Sequence, residues 1–319
     1  MAAPSETAPS ETAPSETARS VHASAATPAS VSPFRQTMGK LLRDPLALTG
    51  LVIVTLLMIG AVFAPLIAPQ DPYDLAQLDI MDGRLGPGSQ SMTGMVYLLG
   101  TDDQGRDLFS AILFGLRTSI LVGLASAAIA LVIGASVGLF SAYAGGRTDA
   151  FLMRIVDIQL SFPAILIALI FLAILGQGVD KIILALVVTQ WAYYARTIRG
   201  SALVERKRAY VDAARSMALP DRRILFRHIL PNCLAPLIVV ATMRVAYAIM
   251  LEATLSFLGI GLPVTEPSLG LLVSNGFEYL LSGDYWISFF PGLALLVLIV
   301  SINLIGDALR DILNPRREG

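Results

Sequence analysis

Long uncharged apolar segments constrain this chain more than any other feature of its sequence. A helix needs about 20 predominantly apolar residues to cross the hydrocarbon core of a bilayer, and residues 46–68 and 118–144 meet that requirement without one charged side chain. Charged residues make up 15% of the 319 residues, whereas soluble domains carry about 25%. The sequence therefore predicts an all-α integral membrane protein.

Four shorter apolar segments, 158–175, 182–195, 234–251 and 287–305, bring the number of predicted transmembrane helices to six. The fourth of the six spans ends in a cluster of aromatic residues typical of the membrane interface, namely Trp191, Tyr193 and Tyr194. The second span is rich in Gly and Ala and contains the pair Gly134 and Gly138. Such a pair predicts close helix packing, and a pore wall is the second interpretation of the same residues.

The chain divides into three predicted regions. Residues 1–34 contain three copies of the pentapeptide APSET and too little apolar area to offset the entropy of ordering, so they are predicted to be a disordered cytoplasmic tail. The tail lacks the basic start and adjoining apolar run of a signal peptide. Residues 35–117 hold the first transmembrane helix and an extracytoplasmic loop, and residues 118–315 form the core, with a cytoplasmic loop at 204–232.

Basic residues set the predicted orientation. If the N-terminus is cytoplasmic, 18 of the 23 Lys and Arg residues fall on the inner side and 4 on the outer side. The positive-inside rule therefore favours both termini in the cytoplasm. The outer segment 252–286 carries four acidic residues and no basic ones.

The cytoplasmic loop 204–232 carries the most informative pattern. Five residues recur at helical spacing and predict one small apolar face: Tyr210, Ala213, Ala214, Met217 and Ala218. The opposite face holds Arg208, Asp212 and Arg215, where Asp212 can pair with Arg208. The loop therefore predicts a helix that can dock closely on another protein.

A second short helix is predicted after Leu219 and Pro220. Asp221 can cap it, and it has to stop near Pro231. The loop is then a basic helix-turn-helix between two membrane spans.

These residues resemble the EAA loop of permeases from binding-protein-dependent ABC importers. The chain has Asp212-Ala213-Ala214, three residues, Ala218, nine residues, and then His228-Ile229-Leu230-Pro231. Asp stands for the usual Glu, Ala218 for the usual Gly and His228 for the usual Ile. The segments 63–69, 226–232, 252–259 and 303–311 also resemble the "C-type" permease of dipeptide, oligopeptide and nickel importers. So does the outer loop 99–107, with Thr101, Asp102, Asp103, Gly105, Arg106 and Asp107.

The resemblance implies a type I ABC importer permease fold in a bacterial inner membrane. It implies a sister permease, two ATP-binding subunits and an extracytoplasmic substrate-binding protein as partners. The chain itself would be non-catalytic and bind no cofactor, since ATP and Mg would be held by the partner subunits. The residues expected to couple to the ATPase are Arg208, Asp212, Ala213, Ala214, Met217, Ala218, Leu230 and Pro231. Ala218 puts the usual sharp turn in question, because Ala does not reach positive φ as cheaply as Gly.

Two charged residues are further candidates for the translocation pathway. Arg244 is the only formal charge inside a predicted span, so it should face protein or water rather than lipid. It could contact a peptide carboxylate, pair with an acid on another helix, or extend toward the cytoplasm. Glu252 lies roughly 12 Å farther along the same helix and is either a capping carboxylate or part of a gate. In the outer loop, Asp107 can cap a helix that begins at Leu108.

Several functions are excluded or left as alternatives. Lys40, Lys181 and Lys207 are the only lysines, and none lies in a Gly-Lys-Ser/Thr motif, so the chain has no P-loop. Its histidines lack the spacing of a metal site, its single cysteine Cys233 forms no internal disulfide, and nucleic-acid binding is not expected. Nickel or glutathione is the alternative substrate to a peptide. An ion-coupled secondary transporter, which usually shows acids or broken helices in repeated halves, and a membrane-bound enzyme or scaffold are alternative classes.

Overall fold

The computed structural model describes residues 38–72, 74, 78–91, 94–263 and 265–313. The predicted tail, residues 1–34, lies outside the described residues. The first described helical turn, 38–41, is followed by helix α1, Pro45–Val62, whose N-terminus is capped by Asp44: its carboxylate accepts the Leu46 N–H at 3.0 Å. A break at Phe63 precedes the short helix α2, Ala64–Ile67, with Pro65 in its first turn, so the predicted first span is not one continuous helix.

The segment predicted to be extracytoplasmic contains a small β-structure that the all-α prediction did not include. A 3₁₀ turn, Ile80–Asp82, leads to strands β1, Ser89–Gln90, and β2, Val96–Tyr97. The strands are antiparallel, with Ser89 opposite Tyr97.

The remaining helices form the core. They are α3, Leu108–Ala144; α4, Gly146–Ser161; α5, Ala164–Leu175; α6, Val179–Glu205; α7, Ala209–Ser216; α8, Asp221–Ile224; α9, Leu230–Phe257; α10, Leu269–Phe277; and α11, Trp286–Leu313. A π-helical turn, Leu225–Ile229, joins α8 to α9, and a 3₁₀ turn, Leu280–Ser282, follows α10.

In the described part of the chain, four helical segments are long and apolar enough to span a membrane: α1, α3, the continuous stretch Asp221–Phe257, and α11. The pair α4 and α5 is a fifth candidate, bent by 89°. The predicted fourth span, 182–195, corresponds to α6, which at 27 residues is about 40 Å long but carries charges at both ends.

The bend between α4 and α5 corrects the prediction of one straight span over 158–175. Pro163 lacks an N–H group and its ring excludes the helical conformation from the preceding residue. Phe162 is accordingly extended, with ψ 141°. The helix stops at Ser161 and restarts in a new direction at Ala164.

Gly134 and Gly138 allow α3 and α6 to approach each other closely. A Cβ atom at either glycine would overlap the α6 backbone, at Trp191 for Gly134 and at Ala195 for Gly138. The helix-packing interpretation of this pair is therefore confirmed, and the two glycines are not available to line a pore.

The aromatic residues predicted at the membrane interface lie within the packed helices instead. Tyr194 is fully buried between α3, α6 and α9. The indole N–H of Trp191 donates to Gln159 of α4 at 2.8 Å. Helix α6 continues for ten residues beyond the apolar segment, which places these aromatics near the middle of the helix and not at its end.

Candidate functional site

Helix α7 in the loop 204–232 is anchored by one face and free on the other. Val211 and Ala214 are buried in the apolar cluster that α7 shares with α3, α6 and α9, whereas Ala213 and Met217 are exposed. The prediction that Ala213 and Ala214 form one docking face is therefore wrong for Ala214. Val211, one turn before Ala214, is the larger apolar group and directs that side of the helix into the chain's own core.

The end of α7 adopts the left-handed turn that glycine normally supplies. Ala218 has φ 52°. Its N–H donates to the Arg215 carbonyl at 2.9 Å, and the Leu219 N–H donates to the Ala214 carbonyl at 3.2 Å. This pair of hydrogen bonds defines a Schellman cap with Ala218 at the position that glycine favours. The turn is thus as sharp as in the glycine-containing motif, and Ala218 holds it in a strained conformation.

The ion pairs on α7 differ from the predicted one. Asp212 pairs with Arg215 at 3.6 Å, and Arg208 pairs with Glu205 at 3.6 Å. Both arginines are well exposed, and exposed pairs of this kind contribute at most about 1 kcal/mol. These two ion pairs therefore do not determine the shape of the loop.

Tyr210 fixes the loop to the start of α9. Its hydroxyl donates to Glu205 at 2.7 Å and accepts from the Asn232 side chain at 3.2 Å. Asn232 also donates to the His228 carbonyl at 2.7 Å. Burial, together with the hydrogen bond to Glu205, raises the pKa of Tyr210 to about 12.

The second part of the loop also departs from the prediction. Asp221 makes no capping hydrogen bond and is the first residue of α8, with Pro220 at the N-cap position. The helical chain does not stop near Pro231 but continues through the π-helical turn into α9. Pro231 is tolerated there because it lies in the first turn of α9, where an intrahelical N–H bond is not required. Leu230 is half-buried against the same cluster as α7, and Pro231 is exposed.

The loop presents an exposed surface that mixes apolar and basic groups. Met217 is 67% exposed and Phe226 55%. Arg222 and Arg223 are also exposed and line an open groove with Pro220 and Phe226. Large apolar side chains exposed beside arginines are typical of a protein-docking surface.

Arg244 is held by aromatic rings. Its guanidinium carbon lies 3.4 Å from the ring centre of Tyr193 on α6 and 5.2 Å from that of Tyr247 on α9. Among the described residues no acid forms an ion pair with Arg244. The prediction that Arg244 could form a structural ion pair with an acid on another helix is therefore wrong for the described residues.

Glu252 is a buried junction of three helices. It is fully buried and accepts hydrogen bonds from Ser119 of α3 and Ser256 of α9, each at 2.8 Å. Ser268, the N-cap of α10, is a third hydroxyl partner. Of the two predicted roles, this geometry fits the capping and interface carboxylate, and the side chain does not line an open cavity.

The predicted outer-loop residues form a compact folded unit. The Thr101 hydroxyl donates to the Asp82 carbonyl at 2.6 Å, and Gly105 has φ 75° where a Cβ would overlap the backbone of Asp79. Asp107 caps α3 as predicted, because its carboxylate accepts the N–H of Ser110 at 2.8 Å. These contacts are what a loop of fixed shape requires.

A buried ion pair lies at the centre of this unit. Arg106 Nε is 2.9 Å from Asp102 Oδ2, and the two side chains are 3% and 1% exposed. The contact is an ion pair rather than a directed hydrogen bond, since neither atom has a well-aligned partner. Burial raises the pKa of the Asp102 carboxyl, and the charge of Arg106 opposes that rise.

The surface beside this unit carries exposed apolar side chains. Ile80 is 82% exposed and Met81 77%, and Asp103 and Gln104 border the same shallow groove as Ile80. Arg84 connects the loop to the segment before α11, because it lies 3.9 Å from Asp284.

Within the described ranges, no group of three or more His, Cys, Asp or Glu side chains could hold a metal ion. His228 contributes its backbone carbonyl to the loop, and Cys233 is buried.

The sequence is similar to known transport permeases over most of its length. Residues 130–319 match the family described as binding-protein-dependent transport system inner membrane component, and residues 32–87 match the N-terminal TM domain of oligopeptide transport permease C. The chain is 37% identical to the di/tripeptide transport system permease protein DppC of Pseudomonas aeruginosa (92% of this chain, 97% of the relative). It is 35% identical to the oligopeptide transport system permease protein OppC of Bacillus subtilis (90% and 91%).

A solved structure shares the fold. The chain is similar to a subunit of the MetNI methionine ABC transporter in an inward-facing conformation, with a TM-score of 0.52 and 22% sequence identity. The match covers 63% of this chain and 96% of that one.

Proposed function

This chain belongs to the family of binding-protein-dependent transport system inner membrane components, and we propose on that basis that it forms the translocation pathway of a di- or oligopeptide importer with a second, unlike permease. Two cytoplasmic ATPase subunits would drive the cycle and an extracytoplasmic binding protein would deliver the peptide. ATP and Mg would be bound by those ATPases. Both termini and the loop 204–232 would be cytoplasmic, in accordance with the distribution of basic residues.

The observation that carries the proposal is the combination of anchoring and exposure in α7. Val211 and Ala214 fix the helix to the membrane core, while Ala213, Met217 and Phe226 face outward. A helix docked in an ATPase groove by its free face would transmit each closure of the ATPase pair to α9. Transport is then a two-state equilibrium that nucleotide binding shifts.

The broken span supports an importer over a secondary transporter. Secondary transporters built from inverted repeats carry broken helices in corresponding positions of both halves. In the part of the chain that the structure describes, α4 and α5 are the single pair of apolar helices that together are long enough for a span and are bent by more than 40°.

The coupling role can be tested with three glutamate substitutions of alanine. Ala213→Glu adds a charge to the exposed face of α7, where docking would leave it desolvated without a partner. We expect the subunit to insert and pair normally but to lose the ATPases on co-purification. Ala150→Glu, at an exposed alanine of α4 outside the loop, should keep them. Ala214→Glu should instead destabilise the subunit itself, because Ala214 is 2% exposed.

Normal ATPase attachment and normal peptide uptake in both Ala213→Glu and Met217→Asp would refute the coupling role. The substrate is tested in proteoliposomes that contain the complete importer, by comparing ATP hydrolysis stimulated by the binding protein with a dipeptide, with nickel or with glutathione. Stimulation by nickel or glutathione alone would assign the alternative substrate. Labelling of Lys207→Cys from the outside would refute the orientation.

A further inference from the structure

Helices α6 and α9 contact each other near their midpoints. Tyr193 is the fifteenth of the 27 residues of α6, and Arg244 is the fifteenth of the 28 residues of α9. Each residue is therefore about 20 Å from either end of its helix. If both helices cross a hydrocarbon core about 30 Å thick, the contact between Arg244 and Tyr193 lies close to the middle of the membrane.

A second charged pair lies beside this contact. Arg196 follows Tyr193 by one turn of α6 and forms an ion pair with Asp157 of α4. Both side chains are 55% exposed, and Arg244 and Tyr247 are half-buried. We call Asp157, Tyr193, Arg196, Arg244 and Tyr247 the mid-membrane polar strip. The orientation count places Arg196 on the inner side because the predicted span ends at residue 195, but α6 continues to Glu205, so Arg196 lies about 5 Å along the helix from Tyr193. Charges at this depth face water or protein rather than lipid, because their burial in hydrocarbon is costly.

The aromatic contacts of Arg244 leave its hydrogen-bond donors free. A ring face attracts a cation without accepting its N–H groups in the guanidinium plane. Arg244 makes no hydrogen bond or ion pair with any described residue, although it carries five N–H donors. The planar guanidinium matches the two oxygens of a carboxylate. Tyr193 and Tyr247 therefore hold Arg244 in place while leaving it able to bind an anion.

The strip also contains a negatively charged group, Asp157. The Asp157 carboxylate, shared with the exposed Arg196, can accept hydrogen bonds from an ammonium group. A peptide with free ends carries one carboxylate and one ammonium. The strip thus offers a group of the right charge for each end.

We propose that the mid-membrane polar strip binds the two charged ends of a peptide during translocation, with Arg244 taking the carboxylate and Asp157 the ammonium. This inference rests on the proposed function as a peptide importer. Tyr193 and Tyr247 are positioning residues for Arg244.

The test uses the complete importer in proteoliposomes and three probes: alanyl-alanine with free ends, alanyl-alanine amide and N-acetyl-alanyl-alanine. For each variant, uptake of the free peptide is divided by uptake of the blocked peptide, and this ratio is compared with that of the wild type. The preference of the binding protein among the probes affects the ratio of the variant and the ratio of the wild type equally, so it cancels when the two ratios are compared. Arg244→Gln should lower the free-to-amide ratio by about tenfold or more, which corresponds to about 1.4 kcal/mol. Asp157→Asn should lower the free-to-acetyl ratio and leave the free-to-amide ratio unchanged.

Arg310→Gln is the matched control, since Arg310 is exposed in the last turn of α11 and outside the strip. Both of its ratios should equal those of the wild type. An unchanged free-to-amide ratio in an Arg244→Gln importer that assembles would overturn the inference.

If the Arg244→Gln importer does not assemble, substitutions of the positioning residue Tyr193 test the inference. Tyr193→Phe keeps the ring and should keep the ratio, whereas Tyr193→Leu should lower it. Equal ratios in these two variants would overturn the inference. A wild-type importer that accumulates none of the three probes would refute the proposed function instead, so the two failures are distinguishable.

Discussion

The strained cap of α7 gives the sharpest stability prediction. Ala218 holds φ 52°, a conformation that costs a residue with a Cβ about 1–2 kcal/mol. Ala218→Gly removes that cost but adds about 0.4–1 kcal/mol of unfolded-state entropy. The net expectation is that α7 becomes about 0.5–1 kcal/mol more stable against local opening.

The same substitution at Ala213 is the control with the opposite sign. Ala213 is exposed within the helix, so Ala213→Gly should destabilise α7 by about 0.8–1.0 kcal/mol. The two variants should therefore differ by roughly 1.3–2 kcal/mol in local opening free energy.

Hydrogen–deuterium exchange of the α7 amides measures that opening directly. Exchange should slow by about two- to fivefold in Ala218→Gly and accelerate by about four- to fivefold in Ala213→Gly. If Ala218→Gly accelerates exchange as much as Ala213→Gly does, position 218 is not strained and the reasoning fails.

Four further predictions concern other parts of the chain. Glu252→Ala should leave three buried serine hydroxyls without their acceptor and destabilise the subunit by about 2–4 kcal/mol, which heat inactivation at a lower temperature would show. Glu252→Gln should destabilise the subunit less, and equal destabilisation by the two variants would contradict a hydrogen-bonding role. Asp102→Asn should make the loop 99–107 sensitive to proteases, because it leaves Arg106 buried without its counter-ion at a cost of about 3–5 kcal/mol. Adding Arg106→Gln should restore part of the resistance to proteases. If resistance is not restored, the ion pair between Asp102 and Arg106 does not stabilise the loop. The raised pKa of Tyr210 means that the folded loop prefers the neutral phenol. The contribution of Tyr210 to the stability of the loop is therefore complete below pH 10.0 and is lost as pH rises through about 12. Exchange of the loop amides should show this loss of stability, and a loss that persists in Tyr210→Phe would have to come from another group. Deletion of residues 2–30 should leave complex assembly and uptake unchanged, and failure to assemble would make the tail a docking element.

The apolar segments of the sequence predicted most of the membrane helices, because uncharged runs of this length have few other stable structures. The bend at Pro163 had a visible signal in the sequence, since proline excludes the helical conformation before it. The position of Tyr194 could not be predicted from its neighbours. Its burial depends on Gly134 of α3, which lies 60 residues away in the chain.

The cytoplasmic loop was predicted as helical, but the inward face of α7 was not. In a helix of eight residues, Ala213 and Ala214 are adjacent and small, so spacing alone does not decide which one is buried. Packing of Val211 against the core decides it. The π-helical turn Leu225–Ile229 has no signal in the sequence. It joins α8 to α9, with Ile224 and Ile229 both buried.

The partners of Arg244 were also beyond the sequence. Its isolation within a predicted span pointed to a functional residue, but the ring that holds it belongs to another helix. Asp157 lies one residue before the predicted span 158–175, outside the segment in which a charge would have been conspicuous.

The apolar cluster beneath α7 has a consequence for the timing of the transport cycle. It joins Ala214 of α7, Ile229 of the π-helical turn, Leu237 of α9 and Tyr194 of α6 without a gap. Interiors packed to this density have low compressibility, so a displacement that enters at α7 is passed on to Tyr194 near the middle of α6. Fluorescent reporters placed on α7 and near the middle of α6 would then relax with one common time constant after ATP is added to the complete importer.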